Sequence, residues 1–127
     1  MELLDEKDYI MRMIKQIAKV ILALLGKEYS PVNPPLQEEY LLSGKKANEY
    51  FAMIDNGNVN EAENIILDGI NYANKDDIVM AIMFYQYVSA KGTDFLKKSN
   101  YSEDEALYGI KQLVRKSGYG SIFEIME

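Results

Sequence analysis

Apolar residues early in the chain recur at steps of three and four: Ile10, Met13, Ile14, Ile17, Ile21, Leu24 and Leu25 predict one amphipathic helix over residues 5–25. Asp5, with Asp8 three residues on, is placed to cap it, the acidic first turn suits the positive end of the helix dipole, and Gly26 is its stop. Residues 30–35 hold three prolines, which remove backbone donors and push their predecessors towards extended conformations, so they form a connector. Pro35 or Leu36 should open a short helix that Ser43-Gly44 ends. Lys45 to Asp55 places Ala47, Tyr50, Phe51 and Ile54 on one face, and Asn56-Gly57 closes it. Asn60 then caps a helix over residues 61–73 whose inward stripe is Ala62, Ile65, Ile66, Gly69 and Ile70.

The pattern changes after Asp76 and Asp77. From Ile78 to Val88 every position except Gln86 is apolar or aromatic, so this helix has no solvated face of normal width and belongs at the centre. Gly92 interrupts it, and Thr93 to Lys98 reads as one or two further turns. Ser102 with Glu105 three residues later forms a capping box for a last long helix carrying Ala106, Leu107, Ile110, Leu113 and Val114. The tail, residues 118–127, keeps Ile122, Phe123, Ile125 and Met126, enough to dock. No segment alternates with period two between turn residues, and no sheet is expected. The expected fold is all-α: five to seven helices in a single domain over residues 1–127, with the helical array spanning 36–117.

Composition fits a folded chain, with 48% apolar and 27% charged residues at a net charge of -6. Two absences narrow the chemistry. Without Cys there is no disulfide, thiolate nucleophile or Cys-based metal site. Without His the commonest general base and transition-metal ligand are missing, so triad hydrolysis and His-ligated zinc or di-iron sites in their usual forms are excluded. No cofactor is expected, and the chain reads as non-catalytic. Its acidic start does not suit a secretory signal, and residues 20–26 fall far short of the roughly 18 to 20 apolar residues that span a bilayer, so a cytoplasmic setting is expected.

Asn56-Gly57-Asn58 followed by Glu61-Ala62-Glu63 gives the stretch from Tyr50 through Asn74 its character. Gly57, Val59, Ala62, Ile66 and Gly69 fall where a tetratricopeptide repeat has Gly, Tyr, Ala, a bulky apolar residue and a small one. The stretch resembles one such repeat, which implies an antiparallel helix pair. Over its whole length the chain also resembles a family of small, functionally uncharacterised helical proteins of Gram-positive bacteria. That likeness is carried by Asp8-Tyr9-Ile10-Met11-Arg12-Met13-Ile14, by Asn60-Glu61-Ala62-Glu63-Asn64 and by Asp94-Phe95-Leu96 before Asn100-Tyr101-Ser102. It implies a helical fold and no activity.

Charge is unevenly spread. Residues 7–27 hold Lys7, Arg12, Lys15, Lys19 and Lys27 against Asp8 alone, while the rest of the chain is strongly acidic. A basic face opposite an apolar one is the pattern of helices that lie on anionic membranes. It is equally the pattern of a core helix with a solvated outer face, which is preferred because apolar stripes usually pack inward. The run Val20-Ile21-Leu22-Ala23-Leu24-Leu25 covers the helix all round, so it either inserts between other helices or pairs with a second copy. Arg12, Lys15, Lys19, Leu22 and Leu25 are the candidate interaction surface, facing a protein partner or a second copy, with a membrane surface as the alternative. Nucleic acid is not expected of so acidic a chain. The acidic pairs mostly open helices, where the dipole explains them, and Asp55-Asn56-Gly57-Asn58 lacks the spacing of a calcium loop and reads as a turn.

Overall fold

The computed structural model describes residues 6–26 and 35–126. Among these there are seven helices: α1 Glu6–Leu24, α2 Ala47–Asp55, α3 Val59–Gly69, α4 Lys75–Ser89, α5 Thr93–Lys98, α6 Glu103–Lys116 and α7 Ile122–Met126. No strand occurs among the described residues, and the architecture is all-α. Asp5 and all of the proline connector except Pro35 lie outside them.

Helix α4 is the hub. It touches α1, α2, α3 and α6, while α1 also packs on α6 and α2 on α3. Every residue from Asp77 to Tyr85 is buried, as are Val88 and Ser89, which is what a helix apolar on all sides requires. The side chain of Asn74 caps α4 by accepting from the Asp77 N–H at 3.0 Å, and Ser102 caps α6 by accepting from the Glu105 N–H at 3.1 Å. Helix α1 sends Ile10, Ile14, Ile17, Ile21 and Leu22 into the same core, and Leu25, just past its end, joins them. Of the apolar run at residues 20–25, Ile21, Leu22 and Leu25 are buried, Val20 is half-buried, and Ala23 and Leu24 are exposed.

Three local expectations are corrected. Residues 36–43 form no helix: Ser43 (φ 53°) and Gly44 (φ 79°) make a tight two-residue reversal, closed by a bridge between Leu42 and Lys45. Tyrosines tie down this irregular segment. Buried Tyr50 donates to the Leu42 carbonyl at 2.5 Å, and Tyr40 donates to Asp77 at the start of α4. Asn60 does not cap α3 either, because the helix begins at Val59 with Asn58 at its N-cap, and Asn58 follows the left-handed Gly57 (φ 87°). Asn60 lies in the first turn and its amide donates to the Asn100 carbonyl at 2.9 Å, joining α3 to the turn before α6. The same helix ends at Gly69 rather than near Ala73, since Ile70 is already extended (ψ 137°).

Candidate interaction surface

Of the carboxylates outside α1, Glu63, Asp77 and Asp55 are held by groups from another part of the fold, whereas Glu103, also buried, has an Oε2 with no hydrogen-bond partner among the described residues. Glu63 of α3 accepts from Tyr85 of α4 at 2.6 Å and from Tyr101 at 3.1 Å. Burial pushes its carboxyl up, the two tyrosine bonds pull it back, and nearby Glu105 adds to the upward push. Both hydroxyls are driven well above the ordinary tyrosine value, first by burial and then by the Glu63 charge. Asp77 accepts from Tyr40 and, at 3.0 Å, from the Asn71 N–H. Asp55 of α2 accepts from Tyr87 at 2.8 Å and from Lys91 at 2.5 Å, and the Lys91 bond, followed by that from Tyr87, holds its carboxyl below the usual range. Lys91 also lies 4.9 Å from the Tyr87 ring centre and 5.0 Å from that of Phe95, while Phe51 stacks on Tyr87 at 4.3 Å. These groups act as staples between elements. Among the described residues no cluster of three or more carboxylates is arranged to hold a metal ion.

The five residues singled out by the sequence separate cleanly. Arg12, Lys15 and Lys19 are exposed. Their side chains form no ion pair with any described residue. Leu22 and Leu25 are only 3% and 5% exposed, which corrects their place in the candidate surface. At 3.6 residues per turn they lie on the side of α1 turned to the core.

Other residues replace them. Tyr9 and Leu24 are 56% and 53% exposed, and Met13 and Val20 are half-buried at the rim of the core. At 100° per residue the outward arc of α1 divides in two: Arg12, Lys15 and Lys19 lie on one flank together with Asp8, and Tyr9, Met13, Val20 and Leu24 on the other together with Glu6, with Gln16 and Ala23 between. The helix is therefore amphipathic twice, once towards the core and once within its solvent face. The signal for this was the 4-3-4 spacing of Tyr9, Met13, Gln16 and Val20, masked by counting Met13 with the core stripe.

A second cation group was not singled out from the sequence. Residues 106–123 contain Lys111, Arg115 and Lys116 and no acidic residue. Here the cations do have partners: Arg115 lies 5.1 Å and Lys111 5.9 Å from the Phe123 ring centre, and Lys116 lies 5.7 Å from that of Tyr72. Arg115 and Lys116 also sit in the last turn of α6, where the dipole favours them. Among the described residues no helix is long and apolar enough to cross a membrane.

Residues 4–118 match the model of a family of unknown function, DUF6483. No curated protein and no solved structure matches the chain.

Proposed function

The chain belongs to this family of unknown function, and we propose that it is a non-catalytic helical interaction module of the cytoplasm that docks a protein partner on the outward face of α1. One observation carries the reading: Arg12, Lys15 and Lys19, unpaired with any described residue, stand beside exposed Tyr9 and Leu24 on an otherwise acidic protein. Exposed aromatic and apolar side chains flanked by unneutralised charge suit protein recognition, the apolar part supplying affinity and the charges rate and selectivity. The non-catalytic part rests on the staples, since Glu63, Asp77 and Asp55 are committed to bonds that tie separate elements together.

A photoactivatable residue in place of Gln16 tests the reading in cells. The expected result is a discrete crosslinked protein that disappears when Arg12, Lys15 and Lys19 are changed to Glu; crosslinking that is absent, or indifferent to those changes, counts against it. Anionic lipid is the second reading, favoured by the same three cations. It must do without insertion of the main apolar face, because Ile10, Ile14, Ile17, Ile21, Leu22 and Leu25 are core residues. Co-sedimentation with phosphatidylserine vesicles at low salt, lost after the same charge reversal, would support lipid over protein.

A further inference from the structure

The outward face of α1 has the register of a coiled-coil seam. With Tyr9 at d, Met13 falls at a, Gln16 at d, Val20 at a and Ala23 at d, and Leu24 takes the following e position. Arg12 and Lys19 both fall at g, while the e positions before Leu24, Ile10 and Ile17, are buried in the core. The seam is therefore open on one side only. From Tyr9 to Leu24 it runs about 22 Å, at about 1.5 Å per residue.

We infer that this seam takes one amphipathic helix of a different protein, about four turns long, with acidic residues along the flank that meets Arg12 and Lys19 and apolar residues towards Leu24. The inference rests on the reading of α1 as a docking face and adds the occupant. Charge selects it against a second copy of this chain. In an antiparallel pair g positions face g positions, so two copies centred on Gln16 would set Arg12 of one against Lys19 of the other. In a parallel pair g faces e, and e is buried over most of the seam. An acidic flank meets neither obstacle. Gln16 at a seam position fixes the register by seeking a polar side chain opposite.

The probe is a 21-residue helical peptide with Leu at its a and d positions, one central Asn and Glu at g, compared with a twin carrying Lys at g. Titrated into the full chain, the Glu peptide should bind at least about tenfold more tightly than its twin. The amide shifts it causes should concentrate between Tyr9 and Leu24, and R12E/K19E should reverse the preference. R12Q/K19Q, which removes the charge without inverting it, should make the two peptides equal. Equal binding of both peptides to the unchanged chain, shifts centred elsewhere, or a chain that dimerises through this face in sedimentation would overturn the inference, as would binding to phosphatidylserine vesicles with none to the Glu peptide. If crosslinking from position 16 to a cellular protein persists while the Glu peptide fails, the assigned occupant is wrong and the docking face stands. If both fail, neither stands.

Discussion

Tyr85 and Glu63 meet at 2.6 Å against the one position of α6 that has no Cβ, Gly109. A Cβ at that point would lie 2.3 Å from the Tyr85 hydroxyl oxygen and 2.8 Å from Glu63 Oε2. Tyr85 is 1% exposed, so its ring has little freedom to withdraw. Gly109→Ala gains helix propensity yet should destabilise the fold by about 1–3 kcal/mol, the usual cost of overpacking. Urea denaturation of the two proteins checks the sign. A variant as stable as the parent would mean that α6 stands farther from this pair than described.

The same carboxyl gives a pH signature. Burial raises the Glu63 carboxyl in the folded state above its ordinary value of 4.5, so the folded protein holds that proton more tightly than the unfolded chain does. Stability from this group must then rise as pH falls through the folded value and level off below about 4.5. Glu63→Gln removes the titration, and the stability of the parent relative to this variant should improve from neutral pH towards 4.5. Asp55 runs the other way. Its carboxyl is lowered by Lys91 and then Tyr87, so the contribution is present above the ordinary 3.8 and is lost on further acidification. Denaturation midpoints of the parent, Glu63→Gln and Asp55→Asn across pH separate the two slopes.

Tyr40 anchors the irregular stretch before α2 to the first turn of α4. Tyr40→Phe keeps the ring but leaves Asp77, 9% exposed, with the Asn71 N–H in place of two anchors. A loss of about 1–3 kcal/mol is expected, the cost of removing a donor from a buried charged acceptor. Hydrogen exchange should also show faster opening of residues 36–46 than of α4 itself. Uniform opening of both would argue against a local anchor.

Most of the fold was legible in the sequence because it follows from periodicity. The central position of α4 is dictated by the unbroken apolar run from Ile78 to Tyr85, and the start of α6 by Ser102, while α4 starts at Lys75 under the cap of Asn74, just before the Asp76-Asp77 pair at which the sequence placed it. The stretch from Leu36 to Ser43 misled because its apolar residues, Leu36, Tyr40, Leu41 and Leu42, also have helical spacing. The left-handed pair Ser43-Gly44 and the tyrosine bonds, which depend on residues far along the chain, decide its shape instead. Of the five residues chosen for the candidate surface, Arg12, Lys15 and Lys19 are exposed, whereas Leu22 and Leu25 are buried. Leu22 and Leu25 were chosen for apolarity alone, whereas which side of α1 meets the core depends on the placement of α4 and α6 against it.

Reversing Arg12, Lys15 and Lys19 to Glu should barely change stability, within about 0.5 kcal/mol, because exposed charges with no ion-pair partner among the described residues contribute little to folding. A large loss would reveal a structural role for those cations and remove the reason for reading them as a docking flank. Thermal denaturation of the triple variant at moderate salt decides this.

The docking face itself is tested most directly by crosslinking in the native cell from a photoactivatable residue at position 16, set against the same residue at Lys97, exposed on α5. The account predicts one dominant protein adduct from position 16, none of the same mass from position 97, and loss of the adduct after reversal of Arg12 and Lys19. An adduct formed equally from both positions, or none from position 16, would contradict it.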